Sequence, residues 1–259
     1  MKTKMNGLLG VGLVCLCGLW VGPVGAADTN DVYCQVAGTS CLSFDGTDDY
    51  VNLGNKSSLQ LTGNMTIAVW VRLGDSNAGQ YMGIAGKLSG GSGYCLVRHD
   101  TNYFRFWTGS GGVLTGIVST AQYTDTDWHH VTGILEGGVM KIYVDGVLNA
   151  QGGSGLTILD SGQYAFIGRQ YSNLASRYLR GMADDLRIYN VALTTAQVTT
   201  AMTTVPVVPQ TGLVGYWGLD EGSGQIVNDL SGNNNQGFLG SVNTADSADP
   251  TWVDTSTMC

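Results

Sequence analysis

The chain has 259 residues, of which 39 are glycine and 4 proline; 12% are charged, and the formal net charge is −8. This length suits one β-sandwich plus a targeting segment, and a Gly-rich, low-charge composition with plentiful Val, Thr and aromatic residues favours sheets over helical bundles. So acidic a chain repels phosphate backbones and anionic membranes, which argues against nucleic acid as a partner.

In chain order, Lys2 and Lys4 form a positive start, Gly7 to Val21 is an uncharged and mostly apolar run, and Val24-Gly25-Ala26 supplies small residues for cleavage. Residues 1–26 therefore read as a secretory signal peptide, and the mature protein as secreted: extracellular, at the cell surface or periplasmic. The apolar run is short for a spanning helix of roughly 20 residues, and no later stretch is apolar enough for one. Cys15 and Cys17 follow Val14 and Leu16, where a lipid-attachment site wants a small residue. Cleavage removes both lysines and leaves 10 basic against 20 acidic residues, a charge of −10. Cys34, Cys41, Cys95 and Cys259 remain, an even number in an oxidising compartment, so disulfides are expected. No two have the C-x-x-C spacing of a zinc or redox site.

Met65 to Leu73 alternates, with Ile67, Val69, Val71 and Leu73 on one face and Ala68, Trp70 and Arg72 on the other; two largely apolar faces predict a central strand, with Trp70 in the core. Tyr94–His99 and Asn102–Thr108 read as a hairpin around Asp100-Thr101. Trp128–Glu136 and Val139–Asp145 read as a second, turning at Gly137-Gly138, with Trp128 assigned to the core. Asp145-Gly146 is a type I′ turn signal leading into Val147-Leu148. Tyr164–Gly168 and Met182–Tyr189 add further strands. In all, roughly a dozen short strands with frequent turns make an all-β sandwich. Thr194 is placed to cap one short helix through Met202. Val205 to Gln210, with Pro206 and Pro209, reads as a linker, followed by a strand over Gly212–Asp220 and a Gly/Asn/Ser-rich stretch over Gly222–Gly240.

These segments together resemble a known family. Ser43-Phe44-Asp45-Gly46-Thr47-Asp48-Asp49-Tyr50-Val51-Asn52-Leu53-Gly54 resembles the opening strand pair of bacterial laminin-G-like, concanavalin-A-like jelly-roll domains. Met65-Thr66-Ile67-Ala68-Val69-Trp70-Val71 resembles their tryptophan strand. Trp128-His129-His130-Val131 and Met140 to Gly146 resemble the next hairpin, and Asp184-Asp185-Leu186-Arg187-Ile188-Tyr189-Asn190 the closing strand, with Asp185 where glutamate is usual. Leu213-Val214-Gly215-Tyr216-Trp217, Asp220 to Gly224, Asp229 to Asn233 and Pro250-Thr251-Trp252-Val253 are similar to the segment that normally comes first. The resemblance implies a two-sheet jelly-roll sandwich over 27–205, permuted so that 206–259, linker and C-terminal segment, complete it. The alternative is a truncated second module. Permutation implies that Trp252 and Ser43 meet in space, and hence that Cys259 is bridged to Cys34 or Cys41.

The family includes glycosidases, which need two carboxyls about 5–5.5 Å apart for retention or about 6.5–9.5 Å for inversion. This chain has two glutamates, Glu136 and Glu221, on separate segments; no catalytic residue is assigned, and Asp125 and Asp127 read as loop carboxylates. His129 and His130, adjacent on a strand, face opposite sides and cannot both ligate one metal. Calcium is the cofactor that suits Asp45-Gly46-Thr47-Asp48-Asp49, Asp184-Asp185, and Asp220 with Asp229 and Asn233. Asp184 is carried over from the resemblance, with Asp45 and Asp220 beside it as metal candidates, against the alternative that these side chains cap turns. For sugar, exposed aromatics flanked by polar groups are wanted: Tyr103, Arg105 and Trp107 on one face of a strand, and Tyr171 and Asn173 in a loop-like stretch with Arg177 and Tyr178. The reading is a secreted, non-catalytic domain binding extracellular glycan or glycoprotein with calcium; the alternatives are an adhesive module binding protein and a polysaccharide-active enzyme. The oligomeric state is left open.

Overall fold

The alternation of Met65–Leu73 becomes a central, largely buried strand of the structure, a computed structural model that describes residues 40–74, 81–170 and 177–254. The expected signal peptide, Cys34, Tyr171, Asn173 and Cys259 lie outside these residues. The strands are β1 (Ser40–Asp45), β2 (Val51–Gly54), β3 (Met65–Leu73), β4 (Met82–Ser89), β5 (Ser92–Arg98), β6 (Phe104–Ser110), β7 (Val113–Val118), β8 (Trp128–Glu136), β9 (Val139–Val144) and β10 (Val147–Gly152). They continue as β11 (Ala165–Ile167), β12 (Arg180–Tyr189), β13 (Leu213–Trp217), β14 (Ile226–Val227), β15 (Gly237–Leu239) and β16 (Thr251–Asp254), with one helix, α1 (Thr195–Thr203), after β12.

These strands form two sheets of eight. Sheet 1 runs β10-β9-β8-β3-β12-β1-β16, with β13 also paired to β12. Sheet 2 runs β14-β15-β2-β11-β4-β5-β6-β7. Every pairing between these strands is antiparallel. Strand β12 shares one edge between two neighbours: β1 lies opposite Arg180–Ala183, and β13 opposite Leu186–Tyr189. The changeover falls at a bulge between Asp184 and Arg187, where Asp185 has φ +50°; such a bulge re-aims a strand and interrupts its ladder.

The inner faces supply the main core. Ile67, Val69 and Val71 of sheet 1 meet Ile84, Leu96 and Phe106 of sheet 2, all fully buried. Contact is close enough at one point to require glycine: a Cβ on Gly133 would stand 2.5 Å from the Phe106 ring. Residues after α1 enter the same core, namely Trp217, Leu219, Val227 and Leu239. The Trp217 indole N–H donates to the Asn235 carbonyl at 3.1 Å, and Leu42 of β1 lies opposite Trp252 of β16.

Helix α1 starts on a full capping box, with Thr194 as N-cap and Gln197 reaching back to it, which satisfies two of the N–H groups that a helix start leaves without partners. Its Val198 and Ala201 pack with Tyr143, Tyr189 and Tyr216 on the outer face of sheet 1. Here two expectations are corrected. Trp70 and Trp128 are half-buried rather than core residues. Trp70 points to the outer side of sheet 1, where its ring meets His130 at 5.2 Å and its N–H donates to the Met202 carbonyl at 3.2 Å. The Asp145-Gly146 turn has the expected left-handed pair, φ +53° and +76°, the geometry a two-residue hairpin turn needs.

Candidate functional site

Alternation in β6 buries Phe104 and Phe106 in the core and sends Arg105 and Trp107 to the outer face of sheet 2. There Trp107 packs with Tyr81 and Leu114 over a buried apolar layer of Leu88, Cys95 and Val97. The ring lies against Gly116 of the neighbouring strand, where a Cβ would come within 2.7 Å of it. Its indole N–H donates to the Tyr81 hydroxyl at 2.6 Å. The Arg105 guanidinium stands 4.5 Å over the Trp107 ring, and that of Arg177 stands 4.3 Å over Tyr81. Arg177 also donates to the Gln170 side-chain carbonyl at 2.8 Å. Farther along the same face, Arg169 lies over Tyr50, Phe166 and Tyr178 at 4.9, 5.2 and 5.4 Å. The outer face of sheet 2 is thus a belt of aromatic rings, half-buried at its exposed members, with three guanidiniums stacked on them.

Of the sequence-derived ligand residues, Arg105 and Trp107 are brought together, and Tyr103 lies one residue before β6, half-buried. Tyr81, Arg169 and Tyr50 carry no ligand signal in the sequence. They reach the site from strand ends and loops through the order β2-β11-β4-β5-β6, which no local pattern encodes.

The metal candidates divide. The carboxylates of Asp45, Asp48 and Asp49 lie within 4.8 Å of one another, and no other group of three such side chains occurs among the described residues. Asp49 is buried; Asp45 is exposed. Asp49 accepts the Asp45 backbone N–H at 2.7 Å, Asp45 accepts that of Thr47 at 2.7 Å, and the Ser247 hydroxyl donates to Asp48 at 3.1 Å. Burial is the main force raising the Asp49 carboxyl to about 6, with the charges of Asp45, Asp48 and Asp249 adding to it and the Asp45 N–H opposing it. Asp184 and Asp220 are placed elsewhere, both acting on Tyr216. Asp184 is buried in the β12 bulge, and Asp220 accepts the Ser40 N–H at 3.4 Å. Asp229 accepts the backbone N–H groups of Tyr216, Ser231 and Asn235, the work of a loop-organising carboxylate.

The glutamates occupy separate elements: Glu136 ends β8 and takes Lys141 at 2.5 Å, and Glu221 accepts both nitrogens of Asn228. His129 sits between Asp125 and Asp145, 2.9 Å from each. Burial acts to lower its pKa, and the two carboxylates overcome this and raise it. His130 is buried on the opposite side, and its pKa is lowered to about 3 by burial and then by Arg187. Cys41 is disulfide-bonded. The expectation that Cys95 shares in a disulfide is corrected: Cys95 is free and buried in the apolar layer beneath Tyr81, where a thiol packs as a small hydrophobe.

A family model described as the concanavalin A-like lectin/glucanases superfamily matches residues 45–199. No curated protein matches the chain. Among solved structures it is similar to a candidate carbohydrate binding protein from Bacteroides ovatus ATCC 8483, with TM-score 0.65 and 21% identity, covering 83% of this chain and 61% of that one. It spans, then, 61% of that protein's length. It is also similar to a heptameric SAP-like pentraxin from Limulus polyphemus, with TM-score 0.53 and 16% identity over 83% of this chain and 97% of that one. At such identities the likeness is one of fold. The family model covers more than half of the sequence and the two antiparallel sheets agree with it; the chain belongs to the concanavalin A-like lectin/glucanases superfamily.

Proposed function

We propose that the protein is a secreted, non-catalytic module that binds extracellular glycan or glycoprotein through the outer face of sheet 2, with calcium held at Asp45, Asp48 and Asp49. One observation carries this reading: Trp107 and Tyr81 are locked edge to edge by a hydrogen bond on a solvent-facing sheet, each beneath an arginine. Aromatic rings held this rigidly lose little freedom on meeting a sugar, and the guanidinium donors flank them. Family membership and the likeness to the Bacteroides ovatus protein support the same reading. The signal-peptide pattern supports secretion, and no helix among the described residues is long and apolar enough to cross a membrane. The separation of Glu136 from Glu221 supports binding over hydrolysis.

The test is retention of the protein on a panel of immobilised polysaccharides, with and without EDTA. Wild type is expected to be retained on at least one polymer, and Trp107→Ala to lose roughly tenfold or more in affinity, as for an aromatic anchor at the centre of an interface. Equal retention of Trp107→Ala, or release of reducing sugar during the assay, overturns the proposal.

A further inference from the structure

The protein is acidic as a whole, with 20 acidic against 12 basic residues, yet three of its seven arginines meet on one sheet face. Arg105 and Arg177 define one end of that face, bridged by the Trp107–Tyr81 hydrogen bond. Besides the Cys95 thiol, the charged groups acting on the Tyr81 hydroxyl are these two guanidiniums. Arg105 belongs to none of the ion pairs among the described residues, and its Nε is buried without a hydrogen-bond partner among them. The contact with the Trp107 ring holds the Arg105 guanidinium in place, and the N–H groups of its two terminal nitrogens lie in one plane. Such a fork suits the two oxygens of a carboxylate or sulfate, bound in parallel. The guanidinium of Arg177 lies over the other ring of the same hydrogen-bonded pair while one of its nitrogens donates to Gln170, and Asp100 in the β5–β6 turn lies against His99, whose ring meets Tyr81 at 5.0 Å.

We propose that the Arg105–Trp107–Tyr81–Arg177 end of this face binds an acidic polysaccharide, whose pyranose units carry carboxylate or sulfate groups. This inference rests on the glycan-binding reading of the same face and narrows it. Charge is what makes an acidic protein select an acidic polymer here: the local field of stacked guanidiniums acts within about 8 Å at physiological ionic strength, short enough to escape the net charge.

Affinity electrophoresis of the full protein through gels containing polygalacturonate, a sulfated galactan, or neutral galactan tests it. Retardation is expected in one or both acidic gels and not in the neutral one, and is expected to weaken about tenfold when salt is raised to 0.5 M. Retardation by polygalacturonate alone identifies carboxylate, and by the sulfated polymer alone identifies sulfate. Arg105→Gln, at a half-exposed position, is expected to reduce affinity about tenfold at unchanged melting temperature. Arg105→Lys, which keeps the charge and loses the fork, is expected to fall between. Retardation by neutral galactan that Arg105→Gln leaves intact and Trp107→Ala abolishes overturns the acidic-ligand inference and leaves glycan binding standing. No retardation in any gel overturns the inference, and if the wider polysaccharide panel is also negative, the glycan reading falls with it.

Discussion

Asp49 shows how one residue couples the acidic turn to pH. Its folded-state pKa, raised to about 6 from an ordinary 3.8, means that the native state holds the proton more tightly than the unfolded chain does. The corresponding stability is complete below 3.8 and is lost as pH rises through about 6. In EDTA, the melting temperature should therefore fall between pH 4 and 7 through this residue, and Asp49→Asn should flatten that slope. A divalent cation binds the carboxylate form, so calcium should restore stability at pH 7 and lose its hold below about 6. Thermal melts with and without calcium at both pH values check this; an unresponsive wild type, or an Asp49→Asn protein with the full calcium response, rules the site out. The same melts on Asp184→Ala test the position that the family resemblance favours. At this scale the sequence revealed only what a strand repeats locally. Arg105 and Trp107 were visible as a shared face of β6, whereas Tyr81 and Arg177 come to that face from positions almost a hundred residues apart, and their neighbourhood exists only once β4, β5 and β6 are in order.

Elements with clean alternation and a defined turn were legible. β8 has the expected limits, Trp128–Glu136, and its partner β9 starts at the expected Val139. The Thr194 cap was also visible in sequence, because a capping box needs only four consecutive residues. Strands interrupted by glycine were harder: β4 carries a register shift between Gly83 and Ala85, so its apolar residues do not keep a period of two. β14 has two residues and β15 three, too few for any periodicity. The clearest element-level consequence concerns β13. Its Trp217 is fully buried in the main core, and truncation of so large a core side chain costs about 3–5 kcal/mol. Trp217→Ala should lose that much in chemical denaturation with a single cooperative transition. If residues 206–259 were a separate truncated module, the sandwich transition would be unmoved.

For the whole molecule, we propose that residues 206–259 complete the sandwich in permuted order. The reading is supported by β13 beside β12, β15 beside β2 and β16 beside β1. Cys41 of β1 lies opposite Val253 of β16. With Cys41 bonded and Cys95 free, the partner of Cys41 is sought in Cys34 or Cys259, and of the two a permuted chain favours Cys259. Peptide mapping without reduction should show Cys259 linked to Cys41, and a Cys34–Cys41 bridge with Cys259 recovered as a free thiol counts against it. The cysteine count alone suggests two bridges; β5 places Cys95 as a free thiol in a buried apolar layer with Leu88 and Val97, a fact of sheet geometry and not of number.

The pairing of β1 with β16 also sets a timetable. A ribosome makes β1 first, but both of its neighbours, β12 and β16, come late, and the core it faces is filled in part by Trp217 and Leu239. Contacts so distant along the chain make folding slow. Throughout synthesis, then, the first strand waits as an open edge, and sheet 1 closes only after nearly the last described residue has been made.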